Sequence, residues 1–385
     1  MIPLVKDTIS NYEIDLLSDW LAGYPRLTKG DLTTEFERLW AEKIGCEHAV
    51  FVNSGSSANL LMLYSLLESG DIVSGDAVVV PAVSWATDLA PVCQLGLTPV
   101  LCDCNLEDLS VDIDHLEKIL TSKLPPKVLM LVSVLGLVPE MDRIVELCER
   151  TGTILLEDTC ESVGSSYKGK NLGTFGLMSS FSTYFGHHFS TIEGGVICTN
   201  DREKYNLLKC LRSHGWDRDT DPDYRKKLRK DYLVADDFDS LYKFYMMGFN
   251  FRSTDLNAFI GINQLNNYNE VIQKRNNNYN LYHELITCAD WKPHQSSDDR
   301  FVSNFAYPMI SRNRNKIVTN LVTNNVETRP LICGSLGRQP FWTKNFGVQH
   351  LPNADKVNDF GFYLPNNAEM SEEEIKFVAS LVEDA

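Results

Sequence analysis

The stretch SSFSTYFGHHFSTIEGGVICTN, Ser179 to Asn200, holds a histidine pair in a turn between two apolar runs. A neutral imidazole takes and returns protons near pH 7, so His187 or its neighbour is a candidate acid–base group. A histidine pair in a polar turn is also an ordinary surface feature, and the neighbours have to decide between the two readings. Asp158 ends the apolar run Ile154-Leu155-Leu156-Glu157. An acidic side chain there can meet a positively charged ring nitrogen, and it can equally cap a following helix. Glu161, three residues on, and Ser182, five before His187, can hydrogen-bond an oxygen or a phosphate.

Two more segments carry chemistry of a similar kind. The run His48 to Val52 leads into Asn53-Ser54-Gly55-Ser56-Ser57-Ala58-Asn59 and then LLMLYSLLESG. A strand that delivers Ser-Gly-Ser into a helix start aims free N–H groups and hydroxyls at one point, which suits a phosphate, although such residues also serve as a plain helix cap. Trp85 follows Pro81-Ala82-Val83-Ser84; its indole can stack on a flat aromatic cofactor or simply fill the core.

These residues need a scaffold that gathers them. From residue 76 apolar β-branched runs alternate with helical patterns: AVVVPAV, a helix over 85–94, TPVLCDC, a helix over 112–121, KVLMLVSV, a helix over 140–150 and TILLEDT. That order predicts an α/β fold, a mainly parallel sheet covered by helices on both faces, with ligands at the carboxyl ends of the strands. Amphipathic helices are expected at 9–22 and 32–44, the second capped by Asp31 or Thr33, and another at 202–212. The charged segment 217–237 reads as a solvent-facing or lid-like loop. Residues 1–265 form the expected large domain. An Asn-rich linking helix leads to a smaller C-terminal α+β domain, 266–385.

At 385 residues the chain is long enough for about two domains, and 43% apolar with 23% charged residues is ordinary for a globular protein. A net charge of −16 argues against non-specific attraction to nucleic acid or anionic membranes. Any phosphate must therefore be captured by local donors. Ten cysteines without framework spacing suit a reducing compartment, and Cys102-Asp103-Cys104 alone is no metal site. No basic stretch precedes a long apolar run, so the cytoplasm is the expected location.

Taken together, SGSSANL, PAVSW, LLEDTCESVG, GTFG, the His187 to Gly195 stretch, GFNFRSTDLNAFIGINQL and ETRP cover nearly the whole chain. They resemble the DegT/DnrJ/EryC1/StrS group of pyridoxal phosphate enzymes, which modify nucleotide-linked sugars on the aspartate aminotransferase architecture, fold-type I. Aminotransferases of that group anchor the cofactor on a lysine in this stretch. Here His187 stands in its place, and no lysine lies between Lys170 and Lys204. The resemblance implies that His187 is the catalytic base. It assigns Gly55, Ser56 and Ser182 to the cofactor phosphate, Trp85 to stacking, Asp158 to the ring nitrogen and Glu161 to the ring's polar edge. It also implies a homodimer with shared sites, in which Asn250 reaches the phosphate in the other subunit.

His214, Arg218, Arg252 and Arg329 match positions near the substrate, and the planar fork of arginine suits a diphosphate. Surface salt bridges are the plain alternative for Arg218. The implied cofactor is pyridoxal 5'-phosphate, used as pyridoxamine 5'-phosphate with glutamate as amino donor and held without a covalent bond. The implied reaction removes the C3 hydroxyl of a nucleotide-linked 4-keto-6-deoxy sugar, GDP-4-keto-6-deoxymannose by the nearest likeness, and releases ammonia. Some related 3-dehydratases bind an iron–sulfur cluster through C-terminal cysteines. With only Cys288 and Cys333 beyond residue 250, four thiolate ligands are not at hand. A nucleotide-sugar aminotransferase and an inactive nucleotide-sugar-binding relative are the competing readings. Leu135-Gly136-Leu137 and the 217–237 loop depart from the group's pattern, where ligand specificity can differ.

Overall fold

A computed structural model describes residues 1–288 and 290–385. The strands in chain order are β1 His48–Val52, β2 Ala77–Pro81, β3 Thr98–Cys102, β4 Val128–Val132, β5 Ile154–Asp158, the short β6 Ser166–Tyr167 and β7 Lys170–Asn171, β8 Met178–Ser182 and β9 Gly195–Thr199. Seven of them form one sheet in the order β1-β9-β8-β5-β4-β2-β3. The pairs from β3 through β8 are parallel, and β9 is antiparallel to both β8 and β1. The carboxyl ends of β1, β2, β4, β5 and β8 thus share one edge. Because β9 runs the other way, its first residue, Gly195, meets that edge too, paired with Val52 on one side and Ser182 on the other.

The central strands are apolar without alternation because both faces are covered; β4, β8 and β9 are buried at every position. Helices Gly55–Ser69, Ala86–Gln94, Ile113–Leu120, Met141–Thr151 and Arg202–Arg212 form at the expected places, each within two residues of the sequence reading where one was made. Helix Asp31–Ile44 packs Phe36 and Trp40 edge-on against Phe51 and Phe181 of the sheet. Its cap differs from expectation. Gly30 is the N-cap, and the carboxylate of Asp255, far along the chain, accepts the N–H groups of Gly30 at 2.7 Å and Thr33 at 2.9 Å. A partner two hundred residues away does what a local side chain was expected to do.

The charged segment is more ordered than a loop. Helix Pro222–Asp231 forms within it and buries none of its residues, and Arg229 pairs with the buried Asp217 at 2.7 Å. Helix Tyr268–Leu285 leads to a second sheet of β11 Tyr307–Ile310, β12 Arg329–Pro330 and β13 Gly361–Leu364, in the order β11-β13-β12, following the short β10 Arg300–Phe301. Among the described residues no helix is long and apolar enough to cross a membrane.

Arg275 joins the linking helix to the rest. Its guanidinium is buried and donates to the carbonyls of Asn304 at 3.3 Å, Phe305 at 3.0 Å and Asn366. Burial without a listening carboxylate lowers its pKa to about 10. Replacing it by Met would strip three buried carbonyls of their donor. Arg275→Met should therefore lose about 3 kcal/mol of stability in urea unfolding, and a loss below 1 kcal/mol would show that water satisfies those groups instead.

Candidate active site

The shared edge of the sheet opens into a cavity of about 440 Å³ that takes in Gly55, Ser56, Trp85, Asp158, Glu161, Ser182 and His187. Fifteen further residues complete it, among them Glu193 and also Asp88, Phe305 and Tyr363, which the sequence reading did not single out. The seven gathered residues come from four segments that are distant in sequence. The other five expected residues lie elsewhere in this chain.

Ser54 caps helix Gly55–Ser69, its hydroxyl accepting the Ser57 N–H at 3.0 Å. The first-turn N–H groups of Gly55 and Ser56 have no intrahelical acceptor and add the partial positive charge of the helix end. Gly55 is needed for packing, because a Cβ there would sit 2.9 Å from Ser182 Cβ and 3.0 Å from Cys160 Sγ. A Cβ on Gly195 would collide with the Ser54 backbone, so the Glu193-Gly194-Gly195 run lets β9 start against the Ser-Gly-Ser turn. Trp85 leaves 56% of its surface exposed, which rules out the core reading and frees the indole face toward the cavity.

Asp158 is buried and accepts two donors, the Asn59 side-chain amide at 2.6 Å and the Cys160 N–H at 2.9 Å. Glu161 accepts the Leu135 N–H at 2.8 Å, which steadies a turn in which Leu135 has φ +52°. Burial, helped by the charge of Asp158, pushes Glu161 up to about 7. The helix-cap alternative for Asp158 does not hold, since no helix begins there.

The two histidines have separate environments. Thr183 and Thr191 close the neck of their turn through a 2.6 Å hydroxyl contact and a 2.8 Å backbone bond. His188 is buried with Nε2 at 3.0 Å from the Ser303 carbonyl, so that nitrogen carries the proton and the ring ties the turn to the C-terminal part of the chain. His187 faces the cavity, with its ring 5.3 Å from that of Phe305 and Nδ1 buried without a partner. Burial lowers its pKa to about 4, outweighing the opposite pull of Asp158. The surface-turn reading fails for both residues.

His214, Arg218, Asn250 and Arg252 cluster at a different place. Segment 249–252 runs beside β1 and residues 212–214, with the Arg252 guanidinium 3.0 Å from Asn250 Oδ1 and 3.4 Å from His214 Nε2. Arg26, Lys29, Asn250 and Arg252 line a second cavity of about 340 Å³, and Arg218 stacks on Trp216 beside it. Arg329 is 54% exposed at its side chain and pairs with Glu327. It lies opposite Tyr363 in the small sheet, at the rim of the first cavity.

A mostly parallel sheet with a phosphate-ready turn at its carboxyl edge, an acid for a ring nitrogen and an exposed indole for stacking define a site shaped for a pyridoxal phosphate type of cofactor. The orphaned His187 Nδ1 and the free N–H groups at Gly55 and Ser56 fit that group. A family model, the DegT/DnrJ/EryC1/StrS aminotransferase family, matches residues 8–383, and the chain belongs to that family. The GDP-4-keto-6-deoxy-D-mannose 3-dehydratase of Yersinia pseudotuberculosis is 31% identical over 384 residues, 97% of this chain and 96% of the relative. The Escherichia coli GDP-4-keto-6-deoxy-D-mannose-3-dehydratase with bound hydrated PLP superposes with a TM-score of 0.90 at 30% identity, covering 99% of both chains. A GDP-4-keto-6-deoxymannose-3-dehydratase with a trapped PLP-glutamate geminal diamine gives the same TM-score and identity over 99% of this chain and 100% of the other.

The low pKa of His187 has a measurable sign. Between about 4 and the ordinary 6.5 the unfolded chain binds a proton that the folded ring refuses, so the stability involved is present above pH 6.5 and lost as pH falls toward 4. His188 acts in the same sense. His187→Asn should flatten the slope of unfolding free energy against pH in that window by about one proton; an unchanged slope would mean that the ring is charged or solvated.

Proposed function

We propose that the protein is a 3-dehydratase that removes the C3 hydroxyl of a nucleotide-linked 4-keto-6-deoxy sugar, GDP-4-keto-6-deoxymannose by likeness to the named relatives, giving a 3,6-dideoxy-4-keto sugar and ammonia. The observation that carries this is a half-buried imidazole, His187, held toward its neutral form in a cofactor-shaped cavity whose described lining includes no lysine. Bound pyridoxamine phosphate would supply an amine for the C4 ketone and the two electrons for replacing the C3 hydroxyl by hydrogen, ending in the pyridoxal form that glutamate aminates again. Asp158 holds the ring nitrogen, Trp85 packs on the ring face, Glu161 meets its polar edge, and Gly55, Ser56 and Ser182 take the phosphate. His187 takes a proton at a ring nitrogen and returns it to the departing C3 hydroxyl, and the apolar wall of Phe305 limits water there. A lysine in that place would bind the cofactor covalently and favour amine transfer.

Glutamate as the amino donor is supported by the PLP-glutamate adduct in the similar dehydratase. The reaction belongs to deoxysugar biosynthesis of the colitose and O-antigen kind. Ten unpaired cysteines suit the reducing cytoplasm.

Charge argues for a shared site in a homodimer. The lining of the first cavity includes Asp88, Asp158, Glu161 and Glu193 and, among the described residues, no lysine or arginine. A cofactor phosphate and a sugar diphosphate both need cations that one chain does not supply there. Arg252 and Asn250 line the second cavity with Arg26 and Lys29, and His214 and Arg218 stand beside them. A second copy would bring them across, with Arg329 at the rim of the first.

His187→Asn should lower deoxygenation by at least about 10³-fold while pyridoxamine phosphate still binds; product mass and ammonia release are the readouts, and retained turnover rejects the base. Nitrogen retained in the product would favour the aminotransferase reading. Mixing inactive His187→Asn with inactive Arg252→Ala subunits should restore about a quarter of wild-type activity, since half of the dimers then hold one intact site. No recovery after subunit exchange would place both residues in one chain's site.

A further inference from the structure

Asp88 is fully buried beside Asp158, yet nothing in the chemistry above uses it. It is the third residue of helix Ala86–Gln94, and its Oδ2 accepts the N–H of Trp85 at 3.1 Å. Its Oδ1 lies 3.2 Å from the Asn59 amide nitrogen, which also donates to Asp158 Oδ2 at 2.6 Å. The amide oxygen of Asn59 accepts the Ser180 hydroxyl at 2.5 Å, so the network fixes which end of Asn59 faces the acids. Two carboxyl groups thus meet around a single nitrogen.

Burial and mutual repulsion keep two such groups from ionising together. The other titratable groups facing them are Cys160 and Glu161 from the turn after β5, Cys333 from the C-terminal part and His187, which burial holds toward its neutral form, so none supplies a positive charge. Asp158 takes the shorter bonds, at 2.6 and 2.9 Å, against 3.1 and 3.2 Å at Asp88. The more weakly held carboxyl, Asp88, is therefore the one that keeps a proton, and burial holds it well above the usual range.

We propose that Asp88 is a neutral carboxylic acid in the folded protein and donates its proton to Asp158, so that the pair offers one oriented negative charge to the cofactor's ring nitrogen. Asp88 is a positioning residue, because it acts through Asp158 and, by its bond to the Trp85 N–H, also fixes the residue that packs on the ring face. This role rests on the cofactor reading given above.

Infrared difference spectroscopy of wild type against Asp88→Asn at neutral pH should show one protonated-carboxyl carbonyl band missing from the variant. Absence of such a band would mean an ionised Asp88 and overturn the proposal. That measurement needs neither sugar nor turnover, so its failure leaves the dehydratase reading standing, whereas a wild-type protein without deoxygenation would sink that reading and not the proton. Titration with pyridoxamine phosphate, followed by tryptophan fluorescence, gives a second readout. Asp88→Ala should bind at least about tenfold more weakly, and Asp88→Asn, which keeps an acceptor for Trp85 and a donor for Asp158, should recover most of that loss. An Asn variant as weak as the Ala variant, or an Ala variant as tight as wild type, would overturn the assignment.

Discussion

Carboxyl groups are buried in the cofactor-shaped cavity without a cation beside them, and most of the site follows from that constraint. Each ionised acid there is costly, so the group resists charge wherever it can. Glu161 is pushed up to about 7 and Asp88 well above its usual range, while burial drives His187 toward the neutral form. Asp158 has the best donors in the cavity. The environment is therefore suited to one anion facing one cationic ring nitrogen, with the remaining titratable groups neutral and available for proton transfer.

The sheet makes that concentration of groups possible. Parallel strands deliver their carboxyl ends to one edge, and the reversed β9 adds an amino end without leaving it. Val52, Gly195 and Ser182 lie side by side across three strands, so the Ser-Gly-Ser turn and the Ser182 hydroxyl converge by register alone. Glycine at 55 and 195 is what lets the backbones approach. The same register sets the start of the histidine turn, whose neck the Thr183–Thr191 contact then closes.

Much of this was legible in the sequence because the signals are local. Alternating strand and helix patterns located the main sheet, and residues just past strand ends are the ones the edge gathers. Asn59 and Asp88 were not legible as site residues: one reads as a polar position in an apolar helix, the other as an ordinary acid in a first helical turn, and only folding brings them to Asp158. Phe305 and Tyr363 enter from the far end of the chain without any local mark. The Asp255 cap failed as a sequence reading for the same reason, since the acceptor is supplied through space. In segment 217–237 high charge was read as loop, whereas the helix there stays polar because none of its residues is buried within one chain. The arginines were chosen by likeness, and Arg252 lines a separate cavity because its segment pairs with the end of β1 and with Ser213.

Two adjacent imidazoles in one turn have separate surroundings. His188 is fixed by the Ser303 carbonyl and anchors the turn to the C-terminal part, while His187 is left with a free ring nitrogen over the cavity. An amine can form a covalent bond to the cofactor as well as move protons, and that bond must be exchanged before substrate can enter. An imidazole in its place can keep the proton chemistry but not the covalent attachment, so on the proposed reading retention would fall to the phosphate turn, the stacking indole and the acid beside the ring nitrogen. Those contacts are all made by rigid elements of one sheet edge. A site that holds its cofactor by such contacts alone can leave the catalytic group free to act on the sugar, and loss of a hydroxyl rather than gain of an amine is the outcome that this division favours.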